Sequence, residues 1–149
     1  MFKRWLAISV IPLVFLLDRF SKIWVIDRFT PGEGRMVWPG VLHLTRVNNT
    51  GAAFGILSGS GFALTLVSVV CVAALAIYVA GTFIQNRTSV RSFAGSLVIA
   101  GALGNLADRV RYGYVVDFID FRVWPVFNIA DTSICVGVGL MVMVLLRNK

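Results

Sequence analysis

The stretch GFALTLVSVVCVAALAIYVAGTFI, Gly61 to Ile84, carries no charged side chain. A helix that crosses a bilayer needs roughly 20 mostly apolar residues, within about 17 to 25. This stretch meets that need outright, and three further apolar blocks accompany it. The first covers about residues 5–26 and is broken by Asp18, Arg19 and Lys22. The third covers about 91–108 and is short. The fourth covers about 126–146, with Asp131 as its only charge. Of the 149 residues, 58% are hydrophobic and 14% charged, and the mean hydropathy is +0.84. A soluble domain carries about a quarter charged residues. The chain therefore reads as mainly α and integral to a membrane: a four-transmembrane-helix bundle forming one membrane domain, residues 1–149.

The N-terminus has a basic start and an apolar run, Trp5 to Leu17, like a secretory signal. No small-x-small cleavage site follows, and the apolar pattern resumes after Lys22. It reads as a retained first span.

The net charge of +7 raises the possibility of nucleic-acid binding, but its distribution points elsewhere. Lys3, Arg4, Arg87, Arg91, Arg147 and Lys149 flank one set of span ends with no acid among them. All seven acids lie at the other end or beyond it. The positive-inside rule then places both termini in the cytoplasm, and four spans return the chain to that side. The extracytoplasmic segments are about 27–60 and 109–125. In the first, Val41, His43, Thr45 and Val47 alternate with Leu42, Leu44 and Arg46, which predicts a small extracytoplasmic β element. Asn48, Asn49 and Gly51 then predict a turn, and Gly55 to Gly61 a loose connection.

Polar residues converge at one depth. At 1.5 Å per residue, Arg4 to Asp18 is about 21 Å and Arg4 to Lys22 about 27 Å. Arg91 to Asn105 is about 21 Å, Arg91 to Asp108 about 26 Å, and Arg147 back to Asp131 about 24 Å. All fall near the outer edge of a hydrocarbon core about 30 Å thick. Ionisable groups within spans normally face the bundle interior and often mark function. Small residues in the third span, from Ala94 to Gly104, allow close helix packing that holds Asn105 and Asp108 rigid.

The inventory narrows the chemistry. The chain has one histidine, His43, in the predicted strand, and Ser60 has no evident base. Ser21 and Lys22 are adjacent and diverge by about 100° on a helix, which is poor for a dyad. Cys71 and Cys135 read as apolar packing residues, and no Cys/His set suits a zinc site. Carboxylates remain. Two that share one proton can activate water, because close like charges resist joint ionisation. Asp131 pairs with Asp117 or, on spacing alone, nearly as well with Asp120.

Five segments settle that choice by resemblance. DRFSK (Asp18–Lys22), NNTGAAF (Asn48–Phe54), AGALGNLADR (Ala100–Arg109), VVDF (Val115–Phe118) and FNIAD (Phe127–Asp131) occur in order. Together they resemble the motifs of bacterial lipoprotein signal peptidase, or signal peptidase II, over nearly the whole chain. Ala100 departs from a glycine common there, which touches only local packing. The resemblance implies an aspartic endopeptidase that cleaves prolipoproteins on the amino side of a diacylglyceryl-cysteine. It implies Asp117 and Asp131 as the catalytic pair. Asn49, Gly51, Asn105, Arg109 and Asn128 become candidates for substrate or inhibitor binding and for support of the pair. Asp18, Lys22 and Asp108 become structural polar support. The implied partners are prolipoprotein substrates, membrane lipid and globomycin-type inhibitors, with no nucleic acid, and the resemblance implies neither a metal nor an organic cofactor. The implied location is the bacterial inner membrane, with the site near its outer face. The rival readings are a small membrane transporter, disfavoured because spans two and four offer no polar path inward, and a non-enzymatic assembly factor.

Overall fold

The computed structural model describes residues 2–51, 61–84 and 89–147. The apolar blocks form four long helices: α1 (Phe2–Arg28), α2 (Gly61–Ile84), α3 (Ser89–Tyr112) and α4 (Ile129–Leu146). Three of them, over Phe62–Thr82, Val90–Tyr112 and Ile129–Leu146, are long and apolar enough to cross a membrane. In α1, Asp18, Arg19 and Lys22 interrupt the apolar sequence.

Helix α3 is the axis of the bundle and packs against the other three. Its glycines explain how. A side chain at Gly95 would strike Val79 of α2, and one at Gly104 would strike the Asp18 carboxylate of α1. One at Gly101 would strike the Ala130 carbonyl of α4, and from the other side Gly137 of α4 is closed by Val98 and the Ala94 carbonyl. Helices without a hydrophobic drive between them rely on this close contact and on buried hydrogen bonds. Away from the charged interior, Ser133 Oγ donates to the Leu97 carbonyl at 2.8 Å, and the Thr82 and Ser92 hydroxyls lie 3.2 Å apart.

Burial is inverted relative to a water-soluble protein. Asp18, Lys22, Asn105, Asp108 and Asn128 are inside, whereas Leu66, Val70, Ile77, Val142 and Leu146 are exposed. Cys71 and Cys135 are exposed too, so they do not pack inside the bundle as their apolar settings predicted. Apolar groups outside and polar groups inside suit a lipid solvent.

A three-stranded antiparallel sheet sits beside the helices, in the order β1 (Gly34–Trp38), β2 (Leu42–Asn49), β3 (Val115–Asp120). The hairpin β1–β2 turns at Pro39-Gly40, where Gly40 has φ +70°. Strand β2 runs on through Asn48 and Asn49, so the predicted turn begins later. Strand β3 is a larger correction. The sequence predicted no strand in this extracytoplasmic segment, with Asp117 in a connection before the fourth span. In fact α3 continues to Tyr112, Gly113 ends it at φ +77°, and the chain enters a nearly wholly buried strand. A left-handed glycine just past a helix is the usual way to stop it. Val116 and Phe118 pack on Val25 of α1, which fixes this strand to the bundle. Past β3 the chain doubles back, and Phe127 pairs with Ile119 through backbone bonds of 2.8 and 3.1 Å. Helix α4 therefore starts at Ile129 rather than near 126.

Candidate active site

The return of the chain at Phe127 delivers Asn128 to Asp117. The Asn128 side-chain amide donates to Asp117 Oδ1 at 2.7 Å. The other oxygen, Oδ2, accepts from Asn49 Nδ2 at 2.9 Å. Asn49 sits at the end of β2, and the Gly51 backbone N–H donates to its Oδ1 at 3.0 Å. That bond turns the amide so that its NH2 faces Asp117.

Asn128 also caps α4. Its Oδ1 accepts from the Asp131 N–H at 2.8 Å, and its own N–H donates to Asp131 Oδ2 at 3.2 Å. This is a reciprocal capping box. The second Asp131 oxygen, Oδ1, accepts from Asn105 Nδ2 at 2.8 Å. One asparagine thus touches both carboxylates, by its amide on one side and its backbone on the other. All four of these donors are neutral.

Among the described residues no cation forms an ion pair with either carboxylate, and the Lys22 charge acts on Asp117 only from a distance. Asp117 is 2% exposed. Burial, followed by the Asp131 charge, pushes its carboxyl up to about 7, against the opposing hydrogen bonds from Asn49 and Asn128. Asp120 behaves oppositely. Burial acts against its ionisation, but the Thr45 hydroxyl at 2.7 Å, the Arg122 N–H and the Arg122 charge hold it below the ordinary range. Being three positions from Asp117 on a strand, it points to the other face. It pairs with Arg122 at 3.4 Å, and it is buried rather than superficial.

Beneath the pair lies a charged cluster. The Lys22 ammonium donates to Asp18 Oδ2 at 3.0 Å, Asp108 Oδ2 at 2.9 Å and Asn105 Oδ1 at 2.9 Å. Its three protons are all used. Asp18 Oδ1 accepts the Ala130 N–H at 3.0 Å, so α1 caps α4 alongside Asn128. Asp108 Oδ2 also accepts the Val116 N–H at 3.1 Å, tying α3 to β3. Asp108 pairs with Lys22 and not with its neighbour Arg109. Its second cation is Arg19, which the sequence reading missed. Counting charges finds it: two buried acids, Asp18 and Asp108, call for two cations, and Arg19 adjoins Asp18. Arg109 makes no ion pair with a described residue, yet it lies within electrostatic reach of Asp131, Asp117 and Asp108.

Every candidate residue therefore falls in one connected region, from Lys22 through Asn105 and Asn128 to the two aspartates. His43 lies elsewhere on β2, in register with Met36 and Asp120. The motif residues Ala52–Phe54, Ser60 and the glycines at 55 and 59 lie outside the described residues. Among the described residues no cluster of His, Cys, Asp and Glu suits a metal ion.

The same architecture occurs in solved bacterial membrane enzymes. One superposes with a TM-score of 0.86 at 36% identity, covering 95% of this chain and 88% of the other. A second gives 0.83 at 36% identity, covering 96% and 94%. Fold and polar interior thus define a multi-pass membrane enzyme. Sequence likeness is narrower. The family model described as signal peptidase (SPase) II matches residues 10–147. The lipoprotein signal peptidase of Halothermothrix orenii is 43% identical over 141 residues, 94% of each chain. That of Syntrophomonas wolfei is 44% identical over 138 residues, 92% of this chain and 91% of its own. The chain belongs to the signal peptidase II family and is an endopeptidase of the aspartic type.

Proposed function

We propose that this enzyme removes the signal peptide from diacylglyceryl-modified prolipoproteins, on the amino side of the lipidated cysteine, with Asp117 and Asp131 as the catalytic pair. The observation that carries the assignment is Asn128, which bonds both carboxylates while no cation among the described residues bonds either. The raised carboxyl of Asp117 holds the shared proton. Asp131 then takes a proton from water, and the water oxygen attacks the scissile carbonyl carbon. Asp117 hydrogen-bonds the carbonyl oxygen as it gains charge. The proton held by Asp131 passes to the leaving nitrogen as the C–N bond breaks. Asn49, Asn105 and Asn128 keep the carboxylates in place. Arg109, facing the pair with no ion partner among the described residues, orients substrate carbonyls. Gly51 orients Asn49, and Asp18, Lys22 and Asp108 support the framework. Globomycin-type inhibitors occupy the same site.

Placement follows from the same residues. Helix α1 buries Asp18 and Lys22 against neighbours and exposes Leu13, Leu17 and Phe20. Charges neutralised inside a bundle are compatible with crossing, so α1 is the fourth span of a single membrane domain. The cation distribution supports cytoplasmic termini. The sheet and the aspartates then lie near the outer face of the inner membrane, where a lipid-tethered bond is held.

The test is cleavage of a diacylated prolipoprotein peptide in detergent. Asp117→Asn and Asp131→Asn should each lose roughly 10² to 10⁴-fold, the scale of general acid–base catalysis. Asp120→Asn should stay active. Retained cleavage in either of the first two variants removes the pair assignment, and an inactive Asp120→Asn variant redirects it.

A further inference from the structure

Helix α1 turns one apolar stripe away from the bundle. Leu13, Leu17, Phe20 and Trp24 follow one another at helical spacing, each 46% to 66% exposed. Arg28 continues the stripe one turn further, and its guanidinium lies 6.0 Å from the Trp24 ring centre. Beside it a groove of about 660 Å³ opens between the end of α1 and strand β1, lined in part by Arg28, Arg35 and Glu33. Arg28 and Arg35 form no ion pair with any described residue. The Glu33 carboxylate is engaged by the Thr30 N–H at 2.8 Å and the Thr30 hydroxyl at 2.9 Å.

Among the described residues strand β1 is an unpaired edge of the sheet, exposed at every residue, with Met36, Val37 and Trp38 bare. Soluble proteins guard such edges, because a long apolar one pairs with other chains. Depth supplies the solvent that suits it. From Arg4 to Arg28 is about 36 Å of helix, slightly more than a hydrocarbon core of about 30 Å. The groove is at headgroup level, where tryptophans collect.

We propose that this groove binds an anionic phospholipid of the surrounding leaflet, its phosphate between Arg28 and Arg35 and its acyl chains along the stripe of α1. Two arginines against one engaged carboxylate give a net positive rim. The apolar stripe directly below fits acyl chains and has no use for a soluble anion or a polar peptide. The proposal rests on α1 crossing the bilayer and is independent of the catalytic pair.

Competition between phosphatidylglycerol and phosphatidylcholine of identical chains, read by native mass spectrometry on the purified full chain, tests it. A basic residue at a membrane surface contributes about five-fold, so wild type should retain the anionic lipid about 30-fold more. Arg28→Gln combined with Arg35→Gln should bring the ratio below about 3, since both surface cations are gone. Arg111→Gln should leave it unchanged. Glu33→Gln, which removes the opposing charge, should raise it, and this variant serves if the double variant does not fold. Peptide cleavage in lipid-free detergent should be unaffected by all four substitutions. Equal retention of the two lipids by wild type, a preference that survives the double variant, or no rise with Glu33→Gln overturns the proposal.

Discussion

Asp117 makes the pH dependence of this enzyme calculable. Its carboxyl is displaced from 3.8 to about 7 by burial and by the Asp131 charge. A shift of about three units corresponds to about 4 kcal/mol, at 1.36 kcal/mol per unit. The folded state therefore binds more protons than the unfolded state between pH 3.8 and about 7. Stability falls as pH rises through that window, and the full cost is present above it. On the proposed role of Asp117, activity follows the same proton. Below about 7 Asp117 keeps it, and above that kcat/KM should fall about tenfold per unit on its alkaline limb. Asp117→Asn removes the titration from both. The difference in thermal stability between wild type and Asp117→Asn should move by up to about 4 kcal/mol in favour of the variant from pH 4 to pH 9. Part of the variant's own stability is lost at all pH values, because its amide meets the Asn49 and Asn128 donors, at about 1–3 kcal/mol. That offset is constant and cancels from the pH comparison. The assays are cleavage of a diacylated peptide and thermal unfolding in one detergent across that range. A wild-type kcat/KM flat to pH 9, or a stability difference that does not move with pH, refutes the reasoning.

Asn128 caps α4 and bonds both carboxylates of the proposed pair, and two variants separate the roles. Asn128→Ser keeps a good N-cap and should lose activity with little loss of stability, whereas Asn128→Ala should also lose about 0.5–2 kcal/mol; equal unfolding temperatures for the two would refute the split. Lys22→Met strands Asp18 and Asp108 in the interior and should destabilise by about 3–5 kcal/mol, read as a fall in unfolding temperature. Gly101→Val drives a side chain into the Ala130 carbonyl and should cost at least about 1–3 kcal/mol, while Gly139→Ala, which meets open space, should unfold like wild type.

Much of this was legible in the chain. A charge-free run such as Gly61–Ile84 permits little besides a buried or lipid-facing helix, because length and apolarity act locally. The shared depth of Asp18, Asn105, Asp108 and Asp131 was legible for the same reason: helical rise is constant. Strand β3 was not. Its alternation of Val116, Asp117 and Phe118 is short, and the strand is held by Val25, ninety residues away in the sequence. Arg19 was missed because its partner, Asp108, lies on another helix.

The sequence by itself determined a membrane bundle, its polar layer and a short set of acids, since hydropathy, charge placement and composition depend on neighbours along the chain. Spacing left Asp117 and Asp120 nearly equivalent, and the resemblance of the motifs chose Asp117. Tertiary structure gives the two different surroundings. The strand's pleat turns them to opposite faces, and the fold-back at Phe127 brings Asn128 to one of them. Burial beside a second carboxylate then raises Asp117, while Thr45 and Arg122 lower Asp120. Those forces act through space between α4, β2 and β3, and spacing along a chain does not encode them.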